Sequence, residues 1–242
     1  MKKIVFNSIT CLLVIISVFF FDVNRAGAIT STNEVKYTMQ KDKEIIKDSD
    51  GKIRGIVYFQ YPIVEGNSES IHKINDTLKN ASKEYMSSET AQRLKEYTDG
   101  AIENNGFWSE NEQYYYKTTC KVTYNDNEVF GLHMKMSWYA GGVYNQTDYG
   151  YTFDVTSGEL LGLKDVISGE PTEIKKKIWK AAKEYLKSNG SFDNNAYSII
   201  RKYKLKDYKF YLGKEKVYLC FESYELMRGT GWDIFSLKSK FE

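Results

Sequence analysis

Two segments that face each other across a short turn decide the fold: YYYKTTCKVTY at residues 114–124 and EVFGLHMKMSW at residues 128–138. In the second, Phe130, Leu132, Met134, Met136 and Trp138 alternate with Val129, Gly131, His133, Lys135 and Ser137, the period of two that puts one face of a strand in a core. In the first, Tyr114, Tyr116, Thr118, Cys120, Val122 and Tyr124 fall on one face. Asn125, Asp126 and Asn127 supply the turn between them, so the pair reads as a β-hairpin.

Outward from this hairpin the period changes. Val35–Met39 and Ile53–Tyr61 read as strands joined by a polar turn at Lys47–Lys52. Ile71, Ile74, Leu78, Ala81 and Tyr85 recur every three or four residues behind Asn67 or Ser68, predicting a capped amphipathic helix to about Met86. Glu89–Asn104 reads as a second, more polar helix. Beyond the hairpin, Tyr149–Val155 and Glu159–Leu163 are expected to pair about a Thr156-Ser157-Gly158 turn. Pro171 opens a helix that carries Ile174, Ile178, Ala181, Ala182, Tyr185 and Leu186 and stops at Asn189-Gly190. Asp193 is placed to cap a shorter helix through Ile199, Ile200 and Tyr203. Strands at Tyr208–Leu212, Val217–Ser223 and Ile234–Leu237 follow. The pattern predicts an α+β fold of mainly antiparallel sheets with helices packed on them, in two small subdomains, 29–125 and 126–242, whose border the central hairpin can span.

Residues 1–28 read as a signal peptide. Lys2 and Lys3 precede the apolar run Leu12–Phe21, and Ala26-Gly27-Ala28 offers the small-x-small cleavage site. The uninterrupted run is 10 residues, against about 20 for a bilayer span. Cys11 precedes that run without the apolar and small residues of a lipidation site. The mature chain is therefore expected outside the cytoplasmic membrane, without a stable membrane span. Its 31 basic and 31 acidic residues give no overall case for nucleic acid binding. Of the whole chain's three cysteines, Cys120 and Cys220 remain after cleavage. A disulfide between them would stabilise by about 4 to 5 kcal/mol in the chain-entropy model. Residue parity leaves pairing or simple burial open, because Cys120 shares a face with Val122 whereas Cys220 lies opposite Leu219 and Phe221.

Catalytic signatures are missing. His72 and His133 are too far apart in sequence to form the usual zinc-ligand spacing, and neither has a partner at that spacing, so no metal is expected. No Gly-x-Ser-x-Gly elbow, Ser-x-x-Lys, phosphate-binding loop or dinucleotide fingerprint occurs, so neither catalytic residues nor a cofactor are assigned. Glu222 with Glu225, or Asp126 with Glu128, are carboxylate pairs of undiagnostic spacing. Two glycine-bearing segments look built for recognition. Tyr139–Asn145 sets Gly141-Gly142 between aromatics, and Tyr224–Trp232 displays Glu225, Arg228, Gly231 and Trp232. Gly141, Gly142, Tyr144, Asn145, Tyr224, Glu225, Arg228, Gly231 and Trp232 are the expected binding residues. Phe107-Trp108 is the next aromatic segment in line.

Tyr61-Pro62 with Gly66 and Ile74-Asn75, the Gly141-Gly142 pair, the stretch from Phe153-Asp154 through Ser157-Gly158-Glu159 to Leu161 and Leu163, and Tyr224-Glu225 resemble, in this order, a family of paired domains of unknown function in bacterial envelope proteins. That family includes the extracellular part of a lysozyme-sensing anti-sigma factor and the non-catalytic part of some peptidoglycan deacetylases. The resemblance implies a non-enzymatic role at the envelope, with a lysozyme-like protein as partner or, alternatively, a cell-wall glycan handled by an enzyme or its accessory. The chain departs from the family pattern at Tyr144, where a histidine is frequent, and at Arg228-Gly229, where Pro-Tyr is frequent.

Overall fold

The computed structural model describes residues 34–126, 128–188, 195–226 and 234–241. A five-stranded sheet has the order β1-β2-β3-β4-β5: Tyr37–Lys47, Ile53–Val64, Tyr114–Asn125, Val129–Ala140 and Val143–Asp154. All neighbours are antiparallel except β2 and β3, which run parallel from Gly55 opposite Tyr114 to Phe59 opposite Thr118. A parallel pair needs a crossover, and helices α1 (Glu69–Met86) and α2 (Glu89–Glu103) provide it. Ser68 and Ser88 cap them, their hydroxyls accepting from the backbone of Ile71 and Ala91. The apolar stripes of both helices bury Ile71, Ile74, Leu78, Ala91 and Leu94 against Val57, Phe59, Phe130, Leu132, Met134 and Phe153 of the sheet.

The other face of this sheet meets a second one, β6-β7-β8: Lys209–Leu212, Lys216–Cys220 and Ile234–Lys238, all antiparallel. Among the described residues, a short helix α3 (Leu163–Val166), a long α4 (Pro171–Ser188) and α5 (Ala196–Lys202) complete the helical part, with a turn of 3₁₀ helix at Leu205–Asp207. Ile174, Ile178, Ala182 and Leu186 of α4 join Val217, Leu219, Phe221 and Phe235 in a second core. The two sheets approach closely because Gly150 of β5 has no side chain. A Cβ there would meet the Leu132 carbonyl, with Tyr211 Cβ at 2.5 Å and the Phe210 carbonyl at 2.7 Å.

Three expectations change. β5 starts at Val143, six residues before the strand read from Tyr149, so Gly141-Gly142 is a two-residue hairpin turn and not an open loop. Residues 159–163 do not form a strand: only Leu160 bridges back, to Phe153, before α3 begins. Tyr124 leaves the face it was assigned because a bulge between Val122 and Tyr124 shifts the register by one residue. Its ring instead meets Phe241, 5.7 Å away, at the second core. The capping role assigned to Asp193 lies outside the described residues; Asn195 precedes α5.

The stretches that carry the resemblance do structural work. Asn75 on α1 locks the end of β2, accepting from the Val64 N–H at 2.8 Å and donating to the Val64 carbonyl at 2.9 Å. Asp154 holds the following turn by accepting from the Ser157 N–H at 2.7 Å and hydroxyl at 3.0 Å. The Ser157 N–H in particular keeps the Asp154 carboxyl below its ordinary pKa. A lowered folded pKa contributes stability that is present above the unfolded value and disappears as pH falls through the folded one. Asp154→Asn is therefore expected to flatten the loss of stability between about pH 5 and pH 2, as followed by urea unfolding at successive pH values.

Candidate functional site

The β4–β5 hairpin turns at Gly141 (φ 57°) and Gly142 (φ 84°), positive at both central positions as a type I′ turn requires. Neighbouring chain pins this tip. Tyr139 donates its hydroxyl to Glu112 Oε1 at 2.6 Å, and the other oxygen of Glu112 accepts from the Trp108 backbone N–H. Phe107 folds inward, 4.9 Å from Tyr114 and under the Arg54 guanidinium at 4.6 Å. Trp108 instead lies beside Gly142, where any Cβ would meet its indole edge, and remains 78% exposed.

On the helix side of the tip is an open cleft of about 630 Å³ between α2 and the ends of β3, β4 and β5. Tyr97, Tyr114, Tyr116 and Trp138 supply aromatic surface, and Thr90, Arg93 and Asn145 supply polar groups. Tyr97 is 53% exposed and Val143, at the rim, 54%. Arg93 pairs with Glu89 at 2.5 Å, which balances its charge.

Strand parity sends Asn145 to this cleft and Tyr144 to the opposite face, so two adjacent expected binding residues separate. Tyr144 enters a polar chain between the two sheets. Its hydroxyl donates to Gln146 Oε1 at 2.7 Å, and Gln146 Nε2 donates to Asp148 Oδ2 at 3.0 Å. The Asp148 Oδ1 oxygen meets His133 Nε2 at 2.5 Å. His133 stacks on Tyr211 at 4.1 Å, and Tyr211 on Tyr218 at 4.6 Å. Asp148 is only 2% exposed, and His133 and Gln146 each engage one of its two oxygens in place of water. Sequence reading saw in His133 only a histidine without zinc-ligand spacing and missed Asp148; the signal was Tyr144, Gln146 and Asp148 at every second position, visible once β5 starts at Val143.

The second expected segment begins on the same side. Ser223 Oγ donates to the Gln146 carbonyl at 3.0 Å, tying residues 222–226 to the outer edge of β5. Tyr224 takes a left-handed backbone (φ 67°) and is 57% exposed. Glu225 accepts from the Glu222 N–H at 2.7 Å and from the Tyr203 hydroxyl. Glu222 itself pairs with Lys209. Arg228, Gly231 and Trp232 lie outside the described residues.

Cys120 and Cys220 are free thiols on opposite sides of the five-stranded sheet: Cys120 shares the helix face with its partner Met134, whereas Cys220 lies in the second sheet. Burial pushes the Cys120 pKa up to about 12 and raises that of Cys220, where the nearby Asp148 carboxylate adds to the effect. Raised values keep both protonated, the reverse of what a nucleophilic thiol needs. Among the described residues, no three His, Cys, Asp or Glu side chains are grouped to hold a metal ion. No described helix is long and apolar enough to cross a membrane.

No family model matches the chain, and no curated protein does. Solved structures do. A DUF3298 family member from Bacteroides fragilis is similar at 14% identity and a TM-score of 0.52, over 86% of this chain and 92% of that one. A DUF3298 family protein from Pseudomonas aeruginosa PAO1 is similar at 12% identity and a TM-score of 0.54, over 84% and 90%. At these identities the likeness is one of fold, and the chain's structural neighbours are thus proteins of a domain-of-unknown-function family, DUF3298.

Proposed function

We propose that the mature chain, residues 29–242, is a secreted, non-enzymatic recognition module of the bacterial cell envelope whose partner is a lysozyme-like protein. One observation carries the reading: exposed Tyr97 and Val143 line the cleft, and exposed Trp108 stands beside Gly142 at the same pinned hairpin tip. Aromatic anchors dominate interface energetics, and a tip already fixed by Glu112 loses little freedom when it binds. The order of motifs resembling envelope proteins supports the class of partner. The protonated thiols and the commitment of His133 to Asp148 support binding over turnover.

A second reading, a cell-wall glycan, is favoured by the four aromatic side chains lining the cleft, which suit the apolar faces of sugar rings. Capture of residues 29–242 on immobilised lysozyme and on purified cell wall separates the two. Trp108→Ala is expected to weaken lysozyme binding about 30-fold, the equivalent of about 2 kcal/mol for an interface anchor. Unchanged affinity in both Trp108→Ala and Tyr97→Ala would move the surface away from this tip. Retention by cell wall alone would favour the second reading, and release of wall fragments would overturn the non-enzymatic one.

A further inference from the structure

Charge divides unevenly along the mature chain. Residues 29–163 carry 14 basic and 20 acidic side chains, whereas residues 164–242 carry 17 and 11. The excess concentrates from Lys175 to Lys206, where ten Lys and Arg residues stand against only Glu184 and Asp193.

α4 and α5 gather these cations on one surface. With its apolar stripe turned into the second core, α4 leaves Lys175, Lys176, Lys180, Lys183 and Lys187 exposed. Arg201 of α5 reaches across to stack on Trp179 at 4.5 Å, and Lys183 approaches the same ring at 5.4 Å. A depression of about 250 Å³ opens between Lys175, Lys176, Trp179 and Arg201. Another of about 500 Å³ flanks α4 on its other side, where Lys177, Lys180, Lys238 and Lys240 accompany one carboxylate, Glu184. Six cations elsewhere pair with a carboxylate: Lys52 with Glu110, Arg54 with Asp48, Lys73 with Glu159, Arg93 with Glu89, Lys95 with Glu44 and Lys209 with Glu222. Among the described residues, none of the α4 and α5 cations has such a partner.

We propose that the α4–α5 face docks a linear phosphate polymer, an anion that repeats along a chain. Depressions on both flanks of a basic helix give such a chain a course. Arg201, held over the Trp179 ring, has less side-chain freedom to lose when its guanidinium meets a phosphate. A lipid surface fits less well, because among the described residues no large exposed apolar side chain lies on α4 or α5 to enter a bilayer. A nucleic acid fits less well too, since the indole that would stack a base is covered by Arg201 and Lys183.

The test titrates residues 29–242 with long-chain inorganic polyphosphate. Binding is expected, with affinity falling more than tenfold between about 50 and 200 mM salt. The triple variant Lys175→Glu, Lys176→Glu, Arg201→Glu should bind at least tenfold more weakly, and Lys175→Gln with Lys176→Gln should show a smaller loss if the triple variant misfolds. Lys41→Glu, Lys43→Glu, Lys47→Glu makes the same charge change on β1 and should bind within twofold of the parent. Equal losses in both triple variants, or no binding at low salt, would overturn the proposal. So would tighter binding to phosphatidylglycerol vesicles or to single-stranded DNA than to polyphosphate.

Discussion

His133→Ala is expected to lower the free energy of unfolding by about 3 kcal/mol, measured by urea denaturation at neutral pH. The imidazole faces a carboxylate that is nearly inaccessible to water, and its loss removes the partner of one Asp148 oxygen while the amide of Gln146 stays on the other. An unpaired buried charge costs more than its pair contributes. For that reason His133→Ala combined with Asp148→Leu should recover much of the stability that His133→Ala alone loses. Recovery absent from the double variant would mean that His133 acts by stacking on Tyr211 and not through Asp148.

Gly150→Ala should be about as severe, near 3 kcal/mol, because the added methyl meets two backbone carbonyls and Tyr211 Cβ, none of them the mobile end of a long side chain. Opposite behaviour is expected at Gly100 in α2, where a Cβ would have no neighbour within 4 Å. There alanine should raise stability by about 0.8 kcal/mol, since glycine is the poorer helix former. Thermal unfolding of the two single variants gives shifts of opposite sign. Equal small shifts would show that the sheets can part at β5 without cost.

What was legible in the sequence was whatever buries one face against one neighbour. The β3–β4 hairpin, α1 and α4 each repeat an apolar residue at the period of their own backbone, and their positions follow within a few residues. β5 defeated that logic over Val143–Asp148 because its inner face there is polar, with Tyr144, Gln146 and Asp148 bonded to one another at every second position and Asp148 meeting His133 of the neighbouring strand. The parallel β2–β3 joint and the bulge at Tyr124 depend on pairing between strands, which no single strand's pattern encodes. Of the expected binding residues, Gly141 and Asn145 line the cleft and Gly142 sits beside Trp108, yet Tyr97 and Trp138 complete the cleft from other elements. The position of Tyr97 on α2 had no meaning until α2 was laid on the sheet.

Ser223 does more than anchor a loop. An open sheet has two edges, and each is a template on which another chain can add a strand. By taking the Gln146 carbonyl and accepting from its N–H, Ser223 occupies part of one edge. The opposite edge is β1, where Lys41, Lys43 and Lys47 stand exposed at every second or fourth position. A second copy pairing there would bring lysines against lysines and would have to strip their water. Sheet growth is thus blocked by a hydrogen bond at one end and by like charge at the other, which keeps a tyrosine-rich, five-stranded sheet from serving as the seed of an aggregate.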